Sequence, residues 1–335
     1  MDLKRLRQIL DRAPSKRILV VGDLMLDEFV WGKVGRISPE APVPVVEVTH
    51  ESYFPGGAAN VARNLREFVD RVSVIGLIGK DLSGQQLRDL LADRKIDISD
   101  AVEDQKFRTI VKTRIIARHQ QVVRVDREKI AAPSTKQIAK VVAAVRKRLN
   151  DVDAIIFEDY GKGFLTAELV AQVARHARAA KKIVTADPNP NNLIDWSGMT
   201  AVKPNRAEAF LAAGIPNRDA DLPPKEDVDL VHAGKELMRK WGTQSLLITL
   251  GEHGVMFFEK GKHPHHIPTK ARDVFDVSGA GDTAIAIFTL ALVCNATPLE
   301  AAQIANYASA VVVGKLGTAT VTREELVASC EHDFK

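Results

Sequence analysis

The sequence predicts an α/β fold: a doubly wound, mostly parallel sheet with a small antiparallel β lid. Three observations carry this. Short apolar runs alternate with amphipathic helical patterns along most of the 335 residues. The runs are continuous, as in Ile18-Leu19-Val20-Val21, which suits strands buried on both faces of a parallel sheet. Two stretches, 42–50 and 108–127, break the rhythm. They read as extended segments, with alternation at Val43/Val45 and Val122/Val123/Val125 and no long helix between. Such strands cannot build a core of their own and must cover the main body or pair with another copy.

Strands are expected over 17–21, 71–77, 154–157, 183–186, 201–203 and 246–250. Helices are expected over 58–68, 84–94, 135–149, 167–180, 205–213, 227–241, 280–293 and 298–315. This alternation is the pattern of a doubly wound sheet. Ahead of the first strand, Leu3, Leu6, Ile9 and Leu10 share one helical face, with acids among the bases. That composition is neither a signal peptide nor a transit peptide.

The first strand ends at Gly22-Asp23, with Asp27 just beyond. Open α/β sheets bind ligands past the carboxyl ends of their strands, and carboxylates accept hydrogen bonds from vicinal hydroxyls. The alternative for Asp23 is a turn acid. Pro55-Gly56-Gly57-Ala58-Ala59-Asn60 then leads into a helix. Adjacent glycines let a backbone approach a ligand closely, and Asn60 both donates and accepts; alone, this is a Gly-Gly turn. In the lid, Arg114, Arg118, His119, Gln120, Gln121 and Arg124 face either a ligand or solvent.

Asn205 and Glu208, in Lys203-Pro204-Asn205-Arg206-Ala207-Glu208, lie one turn apart at a helix start. They form a capping box, or they order Mg²⁺-bound water near nucleotide phosphates, since magnesium keeps most of its waters. Residues 216–226 are a Pro/Asp-rich surface loop. Thr249-Leu250-Gly251-Glu252-His253-Gly254 is a glycine turn inside a hairpin, on which a nucleotide sugar or phosphate can also rest. The His-Pro-His-His run at 263–266 lacks a partner cluster and reads as a polar strand edge.

The most informative segment is Asp276-Val277-Ser278-Gly279-Ala280-Gly281-Asp282-Thr283. Glycines at a helix start let backbone N–H groups crowd an anion, where the helix dipole also favours negative charge. Asp282 is placed to take a proton from an alcohol. An anion cradle with a base beside it is the equipment of phosphoryl transfer to a hydroxyl; the alternative is a capped helix with a first-turn acid.

Other classes find no support. The net charge of +4 is mild and its basic residues are dispersed, so nucleic acid is not implied. No apolar run approaches the ~18 residues that span a bilayer. Cys294 and Cys330 have no metal-like spacing and sit in helical patterns, so a reducing cytoplasm is the simplest home. There is no P-loop, and no G-x-G-x-x-G follows the first strand.

Taken together and in order, these pieces resemble the ribokinase-like (PfkB) carbohydrate kinases over nearly the whole chain. The motifs are Gly56-Gly57-Ala58-Ala59-Asn60, Asn205 to Glu208, and Asp276 to Asp282 with Val277 where the family has Thr. The resemblance implies one kinase domain over 1–335, with a lid of about 30–53 and 106–128. It implies Asp282 as base, with the N–H groups of Gly279, Ala280 and Gly281 as anion hole. Asp23, Asp27, Gly56, Gly57 and Asn60 would hold sugar hydroxyls, and Arg118, Arg124 and Lys162 a sugar phosphate. ATP would lie along Thr249, Gly251, Gly254 and Asn306, with Mg²⁺ reached by Asn205 and Glu208 through water and a monovalent cation such as K⁺ near Asp276. A homodimer joined through the lids is also implied.

Residues 36–45, 118–121 and 158–163 are further similar to the subgroup acting on D-glycero-β-D-manno-heptose 7-phosphate in lipopolysaccharide heptose biosynthesis. The chain carries no His-x-Gly-His motif of the nucleotidyltransferase in bifunctional members, as expected of the stand-alone kinase. The alternatives are a kinase for another sugar phosphate or a nucleoside, and a non-catalytic sugar- or nucleotide-sensing module.

Overall fold

The computed structural model describes residues 1–118, 120–218, 222–271 and 274–331. The chain opens with α1 (Leu3–Leu10), β1 (Arg17–Gly22), β2 (Leu24–Ile37), β3 (Pro44–Gly57) and α2 (Ala58–Arg66). It continues through β4 (Arg71–Ile75), β5 (Leu77–Gly79), α3 (Leu82–Asp93), β6 (Ile96–Asp97), β7 (Val102–Asp104), β8 (Ile110–Ala117) and β9 (Gln120–Arg127). Next come α4 (Thr135–Arg148), β10 (Ala154–Glu158), α5 (Ala167–Ala179), β11 (Ile183–Asp187), β12 (Ala201–Val202), α6 (Arg206–Ala213) and α7 (Val228–Trp241). It closes with β13 (Ser245–Thr249), β14 (Val255–Glu259), β15 (His265–Ile267), α8 (Ala280–Val293), α9 (Pro298–Val313) and α10 (Arg323–Glu331).

The main sheet runs β15-β14-β13-β12-β11-β10-β1-β4-β6, parallel from β13 to β6, with β14 and β15 antiparallel at one edge. On β1, Ile18 and Val20 enter one apolar core with α1, α2, α8, α9 and α10, while Leu19 and Val21 enter the other with α4, α5 and α7. Two buried faces are why that strand reads as an unbroken apolar run. Between β1 and β10 the winding reverses, so the crevice past Gly22 and Glu158 is the topological switch point. Helix α8 is buried nearly all round, as expected of a helix apolar on every side.

The second sheet has the order β3-β2-β8-β9. Its β2–β3 and β8–β9 pairs are antiparallel, but β2 and β8 are parallel, so the sheet is mixed rather than purely antiparallel. The chain reaches β8 only after crossing through α3, which returns it in the direction of β2. Its strands also extend beyond the expected segments, back to Leu24 and on to Gly57, so the sheet grows directly out of the switch point.

The strand expected over 71–77 divides at Gly76, where a Cβ would stand 2.5 Å from the Gly22 carbonyl oxygen, into β4 and β5. Helix α9 ends at Val313 rather than 315, with Gly314 as its C-cap. The 263–266 run supplies edge strand β15, and among the described residues no cluster of three His, Cys, Asp or Glu is placed to hold a metal. No helix of the described residues is long and apolar enough to cross a membrane. Cys294 and Cys330 are both buried.

Candidate active site

Most helices here start with a side-chain cap. Asp2, Asp81, Ser134, Thr166, Asn205, Asp227 and Thr297 each accept from a first-turn N–H of α1, α3, α4, α5, α6, α7 and α9. Helices α2 and α8 instead start from Gly57 and Gly279, which offer no side chain. Ala58 N–H goes to the Asp23 carbonyl at 3.0 Å and Ala280 N–H to the Val277 carbonyl at 3.3 Å, and no side-chain cap takes the remaining first-turn donors. Both glycines have positive φ, 58° and 80°, and neither has room for a methyl group. A Cβ on Gly57 would stand 2.5 Å from the Asp23 carbonyl oxygen, and one on Gly279 would stand 2.8 Å from Asn60 Nδ2.

The two uncapped helices meet through their first turns. Asn60 Nδ2 donates to Oδ2 of Asp282 at 2.7 Å, and the Tyr160 hydroxyl donates to Oδ1 at 2.6 Å. Asp282 is 4% exposed. Burial pushes its pKa up to about 6, against the pull of Tyr160, Asn60 and Lys203. It is therefore ionised at neutral pH yet far more basic than a solvated aspartate, as a general base requires.

Around it lie the acids and cations at the ends of the parallel strands. Register aligns Gly22 of β1 with Glu158 of β10, and Glu158 with Asp187 of β11. Burial, reinforced by Asp187 and Asp282, raises Glu158 well above the carboxylate range. Burial also pushes Asp187 up, to about 7, despite Lys203 Nζ at 2.7 Å. Lys203 is itself buried; Asp187 and Glu208 outweigh that burial and raise its pKa, so it stays a cation. Its Nζ lies 3.4 Å from where a Cβ on Gly281 would stand, facing the first turn of α8.

Asp23 is buried, and three backbone N–H groups occupy its carboxylate: Tyr160 at 2.9 Å, Lys162 at 3.1 Å and Phe164 at 3.2 Å. It organises the turn after β10. Asp27 is buried in a short ion pair with Arg114, whose guanidinium lies 5.2 Å from the Phe29 ring centre. A Cβ on Gly56 would collide with Asp27 at 2.3 Å. The other candidate cations are less committed to this centre. Lys162 pairs with Glu128 at 2.7 Å, Arg124 is exposed on β9 and bound to Asp126 at 2.8 Å, and Arg118 is exposed at the β8–β9 turn. Gln120 and Gln121 are exposed, and His119 lies outside the described residues.

Beside the first turn of α8 opens a cavity of about 560 Å³. Thr249, Gly251 and Gly254 line it from the β13–β14 turn, Ala280 and Gly281 from α8, and Asn306 from α9. Its size and mostly apolar lining suit a nucleoside. Val277, the departure from the family pattern, is exposed and also lines it. Asn306 is held by the Pro268 carbonyl at 2.8 Å. Asn205 and Glu208 form a reciprocal capping box at 2.7 and 2.9 Å. Those bonds take one carboxylate oxygen of Glu208 and leave the other for a water, a fit to magnesium bound through its own waters. Asp276 accepts from Ser278 N at 2.9 Å and Gly317 N at 3.2 Å, which ties the segment before α8 to the one after α9.

Sequence reasoning passed over Tyr160, Asp187 and Lys203 as chemistry. The available signal was their place: each ends or follows a parallel strand at the switch point, where ligand-facing residues collect.

Residues 15–325 match the pfkB family carbohydrate kinases. Among curated proteins, the chain is 43% identical over 338 residues to the bifunctional protein HldE of Citrifermentans bemidjiense, covering 100% of this chain and 67% of that protein. It is 42% identical over 313 residues to the bifunctional protein HldE of Helicobacter hepaticus, covering 93% and 63%. The chain thus spans about two thirds of the length of these relatives. Among solved structures, phosphofructokinase-2 from Escherichia coli in complex with potassium aligns with a TM-score of 0.77 at 18% identity, covering 96% of this chain and 99% of that one. Ribokinase from Arabidopsis thaliana complexed with ribose and ATP aligns with a TM-score of 0.69 at 19% identity, covering 94% and 99%.

Proposed function

The chain belongs to the pfkB family of carbohydrate kinases, and from that premise we propose that it phosphorylates the anomeric C1 hydroxyl of D-glycero-β-D-manno-heptose 7-phosphate with ATP. The product is the 1,7-bisphosphate, a precursor for lipopolysaccharide heptose. The observation that carries the catalytic part is the buried Asp282 carboxylate, held by Asn60 and Tyr160 at the uncapped start of α8 beside a nucleoside-sized cavity. Likeness to the HldE relatives, with the segments 36–45, 118–121 and 158–163, supports the sugar assignment.

In this reading Asp282 takes the proton of the C1 hydroxyl while its oxygen attacks the γ-phosphorus and ADP leaves with the bonding pair. The N–H groups of Gly279, Ala280 and Gly281, with Lys203, offset the negative charge on the moving phosphoryl group. Adenosine occupies the cavity between the Thr249–Gly254 turn and Asn306. Asn205 and Glu208 would hold magnesium through water, which would offset charge on the phosphates, and Asp276 would hold a monovalent cation close to the start of α8. Asp23, Asp27, Gly56, Gly57 and Asn60 orient the sugar, and Lys162, Arg118 and Arg124 supply positive charge for its 7-phosphate.

The four-stranded sheet serves as the lid, working in the cytoplasm as a homodimer joined lid to lid. Val48 at 51% exposure and Val123 at 46% give that sheet apolar surface to bury. Coupled ADP release across a panel of sugars and their terminal phosphates tests the reading. The phosphorylated heptose should give the highest kcat/KM, and Lys162→Ala should raise the KM for that sugar far more than for ATP. A preference for an unphosphorylated sugar or a nucleoside defeats the assignment.

A further inference from the structure

We propose that Tyr160 is a positioning residue of the transfer, clamping Asp282 with Asn60 so that the carboxylate presents a fixed lone pair to the sugar hydroxyl. The inference rests on the kinase reading above. An aspartate carboxylate turns easily about its last side-chain bond, where the torsional wells are broad. Here each oxygen has its own donor, Tyr160 on Oδ1 at 2.6 Å and Asn60 on Oδ2 at 2.7 Å. Two donors on two oxygens fix the plane of the group, and each oxygen keeps a second lone pair for a proton.

The phenol is itself delivered by a built turn. Tyr160 N–H donates to Asp23 at 2.9 Å, and the same carboxylate holds the N–H groups of Lys162 and Phe164. Gly161 and Gly163, with φ of 67° and 96°, let the chain fold tightly around it. Asp23, Tyr160 and Asp282 therefore form one line from the end of β1, through the turn after β10, to the first turn of α8.

In the transfer, the hydroxyl proton passes to a free lone pair of Asp282 as the new O–P bond forms and ADP departs. The phenol keeps its own proton. Burial and the neighbouring Asp282 and Glu158 raise Tyr160 well above its ordinary range, so it donates and does not act as base. The charged groups facing Asp282 are Lys203 after β12, Arg63 on α2, Asp27 on β2, Glu158 on β10 and Asp187 on β11. Burial is the main force that raises Asp282, and the Tyr160 hydrogen bond is the leading interaction that opposes it.

The test is Tyr160→Phe in the full chain, with two readouts. Carbon-13 NMR of the aspartate carboxyl groups, with the Asp282 signal identified from D282N, should show its midpoint rise from about 6 by at least one pH unit. The acid limb of the kcat profile should move up with it. At pH 7 kcat should fall tenfold or more while the KM for ATP holds, because Tyr160 does not line the nucleotide cavity. An Asp282 midpoint that stays in place, or a loss confined to KM, overturns the proposal. If the wild type transfers phosphate to no sugar, the kinase reading fails, and the carboxyl titration still decides the clamp. If Tyr160→Phe does not fold, 3-fluorotyrosine at 160 keeps the ring and strengthens the donor. It should lower the midpoint, and no movement there equally overturns the clamp.

Discussion

Replacing Asp282 with Asn should cost activity and add stability, and the structure sets both magnitudes. The amide keeps the shape of the carboxylate. Its carbonyl accepts from Asn60, and its NH₂ turns to Tyr160, whose hydroxyl rotates to accept instead. What disappears is the base, worth about 10²–10⁴-fold in kcat. The loss belongs near the upper end, because Asp282 is 4% exposed and water has little access to substitute for it. Stability moves the other way. The folded protein raises the Asp282 pKa to about 6, against roughly 3.9 in the unfolded chain, so the fold binds this proton more tightly. That contribution is complete below the unfolded value and is lost as pH rises through about 6. At pH 8 the wild type therefore carries a penalty approaching about 3 kcal/mol, which the amide does not. After the rearranged hydrogen bonds are set against it, D282N should melt about 2–4 °C higher than wild type at pH 8, and the gap should close near pH 4. Sugar-dependent ADP release and thermal melts at the two pH values read both effects. Activity within tenfold of wild type, or a variant that melts lower at pH 8, would refute the reasoning.

Three further outcomes follow from contacts in the site. Gly279→Ala should lower kcat sharply and cost roughly 1–2 kcal/mol of stability, since its φ of 80° disfavours a side chain and the methyl group would press on Asn60; an unchanged kcat contradicts the uncapped-helix argument. Arg114→Ala should destabilise by about 3–5 kcal/mol by leaving Asp27 buried without its partner, and Asp27→Asn in the same chain should restore most of that in a denaturant titration. Ala310→Trp should fill the cavity beside Asn306 and raise the KM for ATP tenfold or more with little change for the sugar; equal effects on both substrates would move the nucleotide elsewhere.

The sheet and its order of elements were legible because buried parallel strands announce themselves as unbroken apolar runs, and α8 because it is apolar on every side. The Gly57 and Gly279 helix starts were legible because glycine stands where other helices place Asp, Ser or Thr. Less legible was everything decided by pairing across the chain. Nothing local reveals that Tyr160 reaches Asp282, 122 positions away, or that Asp23 accepts three N–H groups from the turn after β10. The parallel β2–β8 pairing was hidden for the same reason: strand direction is set by the crossover through α3, not by either strand's own residues. Asn205 and Glu208 show the opposite case, where a local capping box is plainly visible and leaves the metal role to be tested.

The central claim is phosphoryl transfer to the anomeric hydroxyl of a sugar phosphate by Asp282. Phosphorus-31 NMR of the product formed from D-glycero-β-D-manno-heptose 7-phosphate and ATP tests it most directly. A new phosphate coupled to the C1 proton should appear with one equivalent of ADP, and D282N should form it at least about a hundredfold more slowly. ADP without that signal, or the same signal from D282N at the wild-type rate, would contradict it.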